Sequence, residues 1–180
     1  MDKKTRIPAL SIIVGVDEEG GFGKDGKIPW YFPEDLKNFK KVTDNSVCIM
    51  GRKTYEDMLE MVKKRKKDKK KKLTELLPNR TCFVVTSNEN YEVEGATAVR
   101  NIRAAVEELD ESDSREIFIV GGLRMYIEGL AWTETIYLTI VKGKTYGCDR
   151  FFPIDIINKK YKIVNGRETE DLSFLTYKRG

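Results

Sequence analysis

Twice along the chain a short apolar run stops at glycine and a helix-patterned segment begins at once. SVCIM, 46–50, passes through Gly51 into RKTYEDMLEMV, and REIFIV, 115–120, passes through Gly121 and Gly122 into LRMYIEGL. ALSIIVGV, 9–16, is a third run of this kind, apolar and β-branched at nearly every position, as a strand covered on both faces must be. TCFVVTS, 81–87, is a fourth, and ATAV, 96–99, a short fifth before the amphipathic NIRAAVEELD. Strands that alternate with helices specify an α/β domain with a mostly parallel sheet. After residue 133 the pattern changes: ETIYLTIV, FFPIDI, KYKIVNG and LSFLTYKR follow one another without long helices, and predict antiparallel strands closing the sheet.

The glycine junctions also carry chemistry. Gly51 followed by Arg52, Lys53 and Thr54 places free amides and two cations at a helix start, an arrangement that suits phosphate. Gly121 and Gly122 permit close approach of a phosphate or a flat ring, and Arg124 adds a charge in the next turn. Neither junction reads GxGxxG, so the usual dinucleotide fingerprint is absent. Gly15 within the first strand marks another close approach, and Thr86 and Ser87 stand at a strand end, where open α/β sheets bind ligands.

IPWYFPEDLKNF, 28–39, holds a misplaced carboxylate. With Pro33 setting a first helical turn, Phe32, Leu36, Phe39 and Val42 share one face, while Glu34, Lys37, Asn38 and Lys41 point to water. Asp35 falls on the apolar face, where an unpaired carboxylate costs several kcal/mol. No Lys or Arg shares that face, so the partner comes from elsewhere in the fold or is a ligand rich in donors. Trp30 offers a flat surface and one indole N–H, which makes this segment a pocket for a planar heterocycle. The preceding loop DEEGGFGKDGK, 17–27, with Phe22 at its centre, is either a mobile lid or a plain surface turn.

The net charge of +4 is misleading. The tract KKRKKDKKKK, 63–72, holds nine basic residues and one acid; the rest of the chain has 24 basic and 28 acidic residues, a net charge of −4. The folded body is therefore not patterned for nucleic acid. Three scattered cysteines and no histidine exclude a zinc site and predict no metal, and they fit a reduced, cytoplasmic setting. Acid–base chemistry falls to a carboxylate, Tyr, Lys or water. MDKKTR before IPALSIIVGV imitates a secretory leader, but the run lacks a cleavage site and enters Asp17, Glu18 and Glu19, so it predicts a buried first strand.

VGVDEEGGFGKDGKIPW, PEDLKNF, IMGRKTYE, LLPNR, FIVGGLRMY, IYLT and CDRFFP occur in an order that resembles the dihydrofolate reductases over nearly the whole chain. The resemblance implies one domain, 1–180, with a mostly parallel twisted sheet of about eight strands, an antiparallel C-terminal hairpin and about four flanking helices. It implies NADPH-dependent reduction of 7,8-dihydrofolate, by hydride transfer to pterin C6 with N5 protonated through water under the influence of Asp35. Dihydrofolate and antifolate-type molecules are the implied partners, and the implied state is monomeric. By resemblance Asp35 binds the pterin 2-amino group and N3, and Thr139 supports it. Trp30 and Tyr126 stand nearby, and Ile13 and Val120 flank the rings. Leu36, Phe39, Met58 and Leu77 match the aminobenzoyl wall, and Arg80 the anchor of the glutamate α-carboxylate.

On the cofactor side the resemblance implies Gly15, Phe22 and Ile28 near the nicotinamide, and Gly51, Arg52, Lys53 and Thr54 at the phosphates. Thr86, Ser87 and Arg100 match the surroundings of the adenosine 2′-phosphate, and Gly121, Gly122, Leu123, Arg124 and Met125 the second phosphate turn, with a cis Gly–Gly peptide. The chain departs from the family pattern in three places. Leu123 stands where Gly or Ser is common, Arg150 where Thr usually follows the acid of the late loop, and the lysine tract has no short bacterial counterpart. Two other readings use the same residues: a same-fold NADPH reductase of another heterocycle, such as the riboflavin-pathway pyrimidine reductase, and a polyanion-binding protein acting through 63–72. Asp35, Phe39 and Arg80 favour the folate enzyme, because a ribosylated pyrimidine gives the aromatic wall and the carboxylate anchor no role.

Overall fold

The computed structural model describes residues 6–180; residues 1–5, the basic start of the leader-like stretch, lie outside the described residues. The main sheet has eight strands: β1 (Leu10–Asp17), β3 (Val47–Gly51), β4 (Thr81–Val85), β5 (Thr97–Val99), β6 (Ile117–Gly121), β7 (Thr133–Val141), β9 (Tyr161–Glu168) and β10 (Leu172–Arg179). A separate two-stranded sheet pairs β2 (Gly21–Gly23) with β8 (Arg150–Phe151). The helices are α1 (Pro33–Val42), α2 (Arg52–Lys64), α3 (Ile102–Glu107), α4 (Leu123–Gly129) and α5 (Ile154–Lys160).

The strand order is β5-β4-β3-β6-β1-β7-β10-β9, parallel from β5 to β7, with β10 antiparallel to both of its neighbours. The predicted antiparallel ending holds for β7, β10 and β9 and is corrected for FFPIDI. β7 runs parallel to β1 along eight paired positions and turns antiparallel only toward β10. FFPIDI contributes no main-sheet strand: Phe151 ends β8, and Pro153, which has no N–H for a ladder, caps α5, a fifth helix where about four were expected.

β1 sits at the centre and sorts its side chains by the two-residue period. Leu10, Ile12, Val14 and Val16 enter one core with Ile102 and Ala105 of α3, Met125 and Tyr126 of α4, and Ile157 of α5. Ile13 joins the opposite core with Met50, Phe118 and Tyr55 of α2. Each such side chain contributes about 1.5–3 kcal/mol by leaving water, which is why a run apolar at every position makes the sheet's middle strand.

α1 differs from the other helices in burying no residue fully. Its apolar face packs Phe39 and Val42 on the α2-side core and leaves Asp35 and Leu36 half-buried beside them in sequence. Pro33 starts it, the Thr43 hydroxyl ends it by donating to Phe39 O at 2.7 Å, and Arg167 of β9 holds Glu34 at 3.6 Å. The lysine tract extends α2 only to Lys64 and then forms exposed turns. Glu94 fastens both ends of these turns, accepting from Lys63 Nζ at 2.8 Å and from Leu73 N at 3.1 Å. Among the described residues no helix is long and apolar enough to cross a membrane.

Candidate active site

The register of β1 against β7 places Gly15 opposite Thr139. With no side chain on Gly15, the Thr139 hydroxyl lies close enough to Asp35 of α1 to act on its carboxyl. A Cβ on Gly15 would lie 3.3 Å from Asp35 Oδ2 and 3.9 Å from Trp30 Cζ2, so glycine here sets the fit of the carboxylate and the indole against the strand. Asp35 is half-buried, and burial raises its pKa above the ordinary carboxylate value while the Thr139 hydroxyl pulls it down. Thr139 is the one side chain that lowers it. Two carboxylate oxygens with no cation paired to them among the described residues suit a ligand that brings N–H groups.

Tyr126 lies near Asp35. Its buried hydroxyl is 3.1 Å from both Ile13 O and Val120 O, tying the ends of β1 and β6 together. Burial and then the nearby Asp35 charge push the phenol pKa up, so it stays protonated. Phe22 of the 17–27 loop is half-buried, packed edge-on to Tyr126 with centroids 5.6 Å apart. Ile28 is 67 % exposed. Trp30 packs against Tyr146 of the late loop, 142–149, at 5.1 Å.

Met58, Leu77 and Phe39 line the side wall as partly buried residues of the α2-side core, and Leu36 is half-buried beside them. Arg80 is fixed at the end of this wall: Nε donates to Thr43 Oγ1 at 3.2 Å, and its terminal nitrogens donate to the Pro78 and Lys40 carbonyls. Three of its five N–H groups are thereby used, and one remains on each terminal nitrogen, the spacing of a fork for a carboxylate.

The two glycine junctions abut. A Cβ on Gly51 would lie 3.5 Å from Met125 Cγ and 3.8 Å from Gly121 O and Gly122 N. Gly121, at φ +130°, would bring a Cβ to 3.1 Å from Thr54 Oγ1, so this cradle excludes side chains and leaves backbone to face a ligand. The Gly121–Gly122 peptide is cis, as the resemblance implied. Leu123 is half-buried at the rim and Met125 turns into the core. Arg52, Lys53 and Arg100 do not point into the cradle: they pair with Glu56 at 3.0 Å, Asp57 at 3.4 Å and Glu89 at 2.9 Å. These exposed pairs are screened by water and yield readily to a phosphate. Thr86 is half-buried and Ser87 exposed just beyond β4, beside Arg100 after β5. The backbone cradle, the hydroxyl of Thr54 and the ring of exposed cations fit a dinucleotide phosphate chain.

Asp17 escaped the sequence reading. Only 1 % exposed, it accepts from Glu19 N and Gly21 N at 2.9 Å on one oxygen, and from Tyr146 N at 3.2 Å and the Cys148 thiol at 3.6 Å on the other. Around it Glu18 accepts from Gly143 N, Asp149 accepts from Asp25 N, and Asp149 N donates to Gly23 O, each at 2.9 Å. The 17–27 loop is therefore latched to the late loop, and an acid followed by Gly-Gly at the end of a buried strand was the available signal.

The dihydrofolate reductase family model matches residues 9–67 and 71–179. The chain is similar to the dihydrofolate reductase of Bacillus subtilis strain 168, 31 % identical over 94 % of each chain. It is also similar to dihydrofolate reductase type 9 of Escherichia coli, 36 % identical over 77 % of this chain and 73 % of that one. Among solved structures, dihydrofolate reductase from Enterococcus faecalis complexed with NADP(H) and RAB-propyl superposes with a TM-score of 0.73 at 30 % identity, over 96 % of both chains.

Proposed function

The chain belongs to the dihydrofolate reductase family, and on that premise we propose how its own residues carry out the NADPH-dependent reduction of 7,8-dihydrofolate to 5,6,7,8-tetrahydrofolate. Asp35 accepts hydrogen bonds from the pterin 2-amino group and N3, and Thr139 holds the carboxylate in the orientation that receives them. The observation that carries this reading is a half-buried acid, raised in pKa by burial, set against Gly15 and Trp30 with the Thr139 hydroxyl as the one side chain that offsets that burial.

Bound NADPH supplies hydride to pterin C6. N5 then needs a proton, and the nearby groups narrow its source: the chain has no histidine, and the Tyr126 proton is committed to two backbone carbonyls. Water delivers the proton, and the Asp35 charge raises the basicity of N5. Trp30 limits which waters reach it.

Ile13 and Val120 flank the rings, and Leu36, Phe39, Met58 and Leu77 take the aminobenzoyl group. The fork of Arg80 takes the glutamate α-carboxylate. The backbone of Gly15 meets the carboxamide of the nicotinamide, Phe22 and Ile28 close over that ring, and the Gly51–Thr54 and Gly121–Met125 junctions hold the phosphates. Thr86, Ser87 and Arg100 receive the adenosine 2′-phosphate, with Arg100 leaving Glu89. A cytoplasmic monomer is the setting we propose, supported by three free cysteines. A molecule such as RAB-propyl competes for the Asp35 site.

The test follows NADPH absorbance with purified protein. Oxidation that requires dihydrofolate and is lost in Asp35→Ala supports the reading; dihydrofolate-independent oxidation, or none, overturns it.

A further inference from the structure

Arg150, where the family pattern usually has Thr, is drawn into a groove that the reading above leaves unassigned. The groove, about 520 Å³, is lined by Leu123, Arg124, Ile127 and Glu128 of α4 and by Arg150 of β8. Its floor is apolar, with Ile127 58 % exposed. Neither Arg124 nor Arg150 makes an ion pair or side-chain hydrogen bond among the described residues, although Glu128 lines the same groove. Two guanidinium groups that share a groove with one carboxylate, Glu128, that neither of them contacts leave a net positive charge, which an anion relieves.

The groove begins at the turn that follows the Gly121–Gly122 cradle, since Leu123 and Arg124 belong to both. Arg150 of β8 is joined to the lid: it pairs with Gly23 of β2, and its Cβ and Cδ lie 3.5 Å from where a Cβ on Gly23 would sit. The side chain is thus stretched across the lid strand with its stem packed and its fork free. A planar fork is the group suited to two phosphate oxygens at once.

We infer that Arg150 is a cofactor-binding residue joined to the lid, which together with Arg124 grips the diphosphate bridge of the dinucleotide. This inference rests on the reading under Proposed function. It makes the β2–β8 sheet the link between lid position and cofactor: a lid latched through β8 presents the fork, and a bound diphosphate holds the lid in place.

The experiment uses the full chain with Arg150→Met, which keeps the stem over Gly23, and Arg150→Thr. The NADPH dissociation constant, read from nucleotide fluorescence, rises about tenfold in both variants, while the KM for dihydrofolate stays within twofold. Inorganic pyrophosphate competes with NADPH for the wild type and at least about fivefold less well for the variants, whereas adenosine 2′-monophosphate inhibits all three proteins equally. An NADPH dissociation constant within twofold of wild type, or an equal change in inhibition by the monophosphate, overturns the assignment of Arg150. Failure of the wild type to oxidise NADPH with dihydrofolate overturns the underlying reading instead.

Discussion

Asp17 and Asp35 are two carboxylates set against the same strand, and their surroundings are opposite. Asp17 is sealed, and its own chain brings it three backbone N–H groups and a thiol. Asp35 is half-buried with the Thr139 hydroxyl for company, and burial has lifted its pKa. A carboxylate satisfied by the fold stabilises the fold. One left short of donors has its remaining acceptor capacity reserved for a ligand, at a cost in stability.

The strongest test of that contrast is exchange of charge for amide at each site. Asp35→Asn should keep the fold and reduce turnover at neutral pH by about 10²-fold or more; turnover near wild type would remove Asp35 from the mechanism. Asp17→Ala should instead act on stability. It strands buried N–H groups at about 1–3 kcal/mol each, for a loss on the order of 3 kcal/mol in urea unfolding. Asp17→Asn, which keeps one carbonyl oxygen for Glu19 and Gly21, should lose less.

Tyr146 joins the two sites, because its amide serves Asp17 and its ring braces Trp30. Tyr146→Ala leaves the amide in place, so turnover should fall by up to about tenfold, the worth of an aromatic contact, with little change in unfolding. The pH dependence separates the carboxylates more finely. Because the folded pKa of Asp35 is raised, the native state holds its proton more tightly than the unfolded chain does. Asp35 therefore opposes folding above its folded pKa, and this cost disappears as pH falls through that value toward the ordinary 3.8. Asp35→Asn should accordingly be more stable than wild type at neutral pH, and the gain should vanish in acid; an equal gain at all pH values would contradict the assignment. The smallest effect belongs to charges in open water. Replacing the basic residues of 65–72 by Ser should change turnover by less than about twofold, with Lys63 kept because it holds Glu94.

The central strands were legible because a strand buried on both faces writes itself as an unbroken apolar run, and Asp35 because it interrupts an apolar helix face. The direction of β7 relative to β1 was not legible, since its apolar pattern is the same beside β1 as beside β10. FFPIDI looked like a strand because four of its six residues are large and apolar, yet Pro153 splits the run between β8 and α5. Arg52 and Lys53 suggested phosphate ligands from their place at a helix start, while Glu56 and Asp57, four residues on, already offered partners. The local half of Asp17's role, its bonds to Glu19 N and Gly21 N, had a signal in the sequence, but its tie to the late loop was out of reach of local pattern, because that donor, Tyr146, is 129 residues away.

β1 places Ser11, Ile13, Gly15 and Asp17 on one side at a pitch of about 7 Å for every two residues. The strand thus serves as a ruler on which the clearance for Asp35 and the anchor of the 17–27 loop are adjacent marks. Sliding it by one residue would exchange both for the valines of the other side. Motions that loosen the lid at its anchor therefore have to bend away from this strand rather than move it, so the lid can change state while the distance between its root and the reacting ring stays constant.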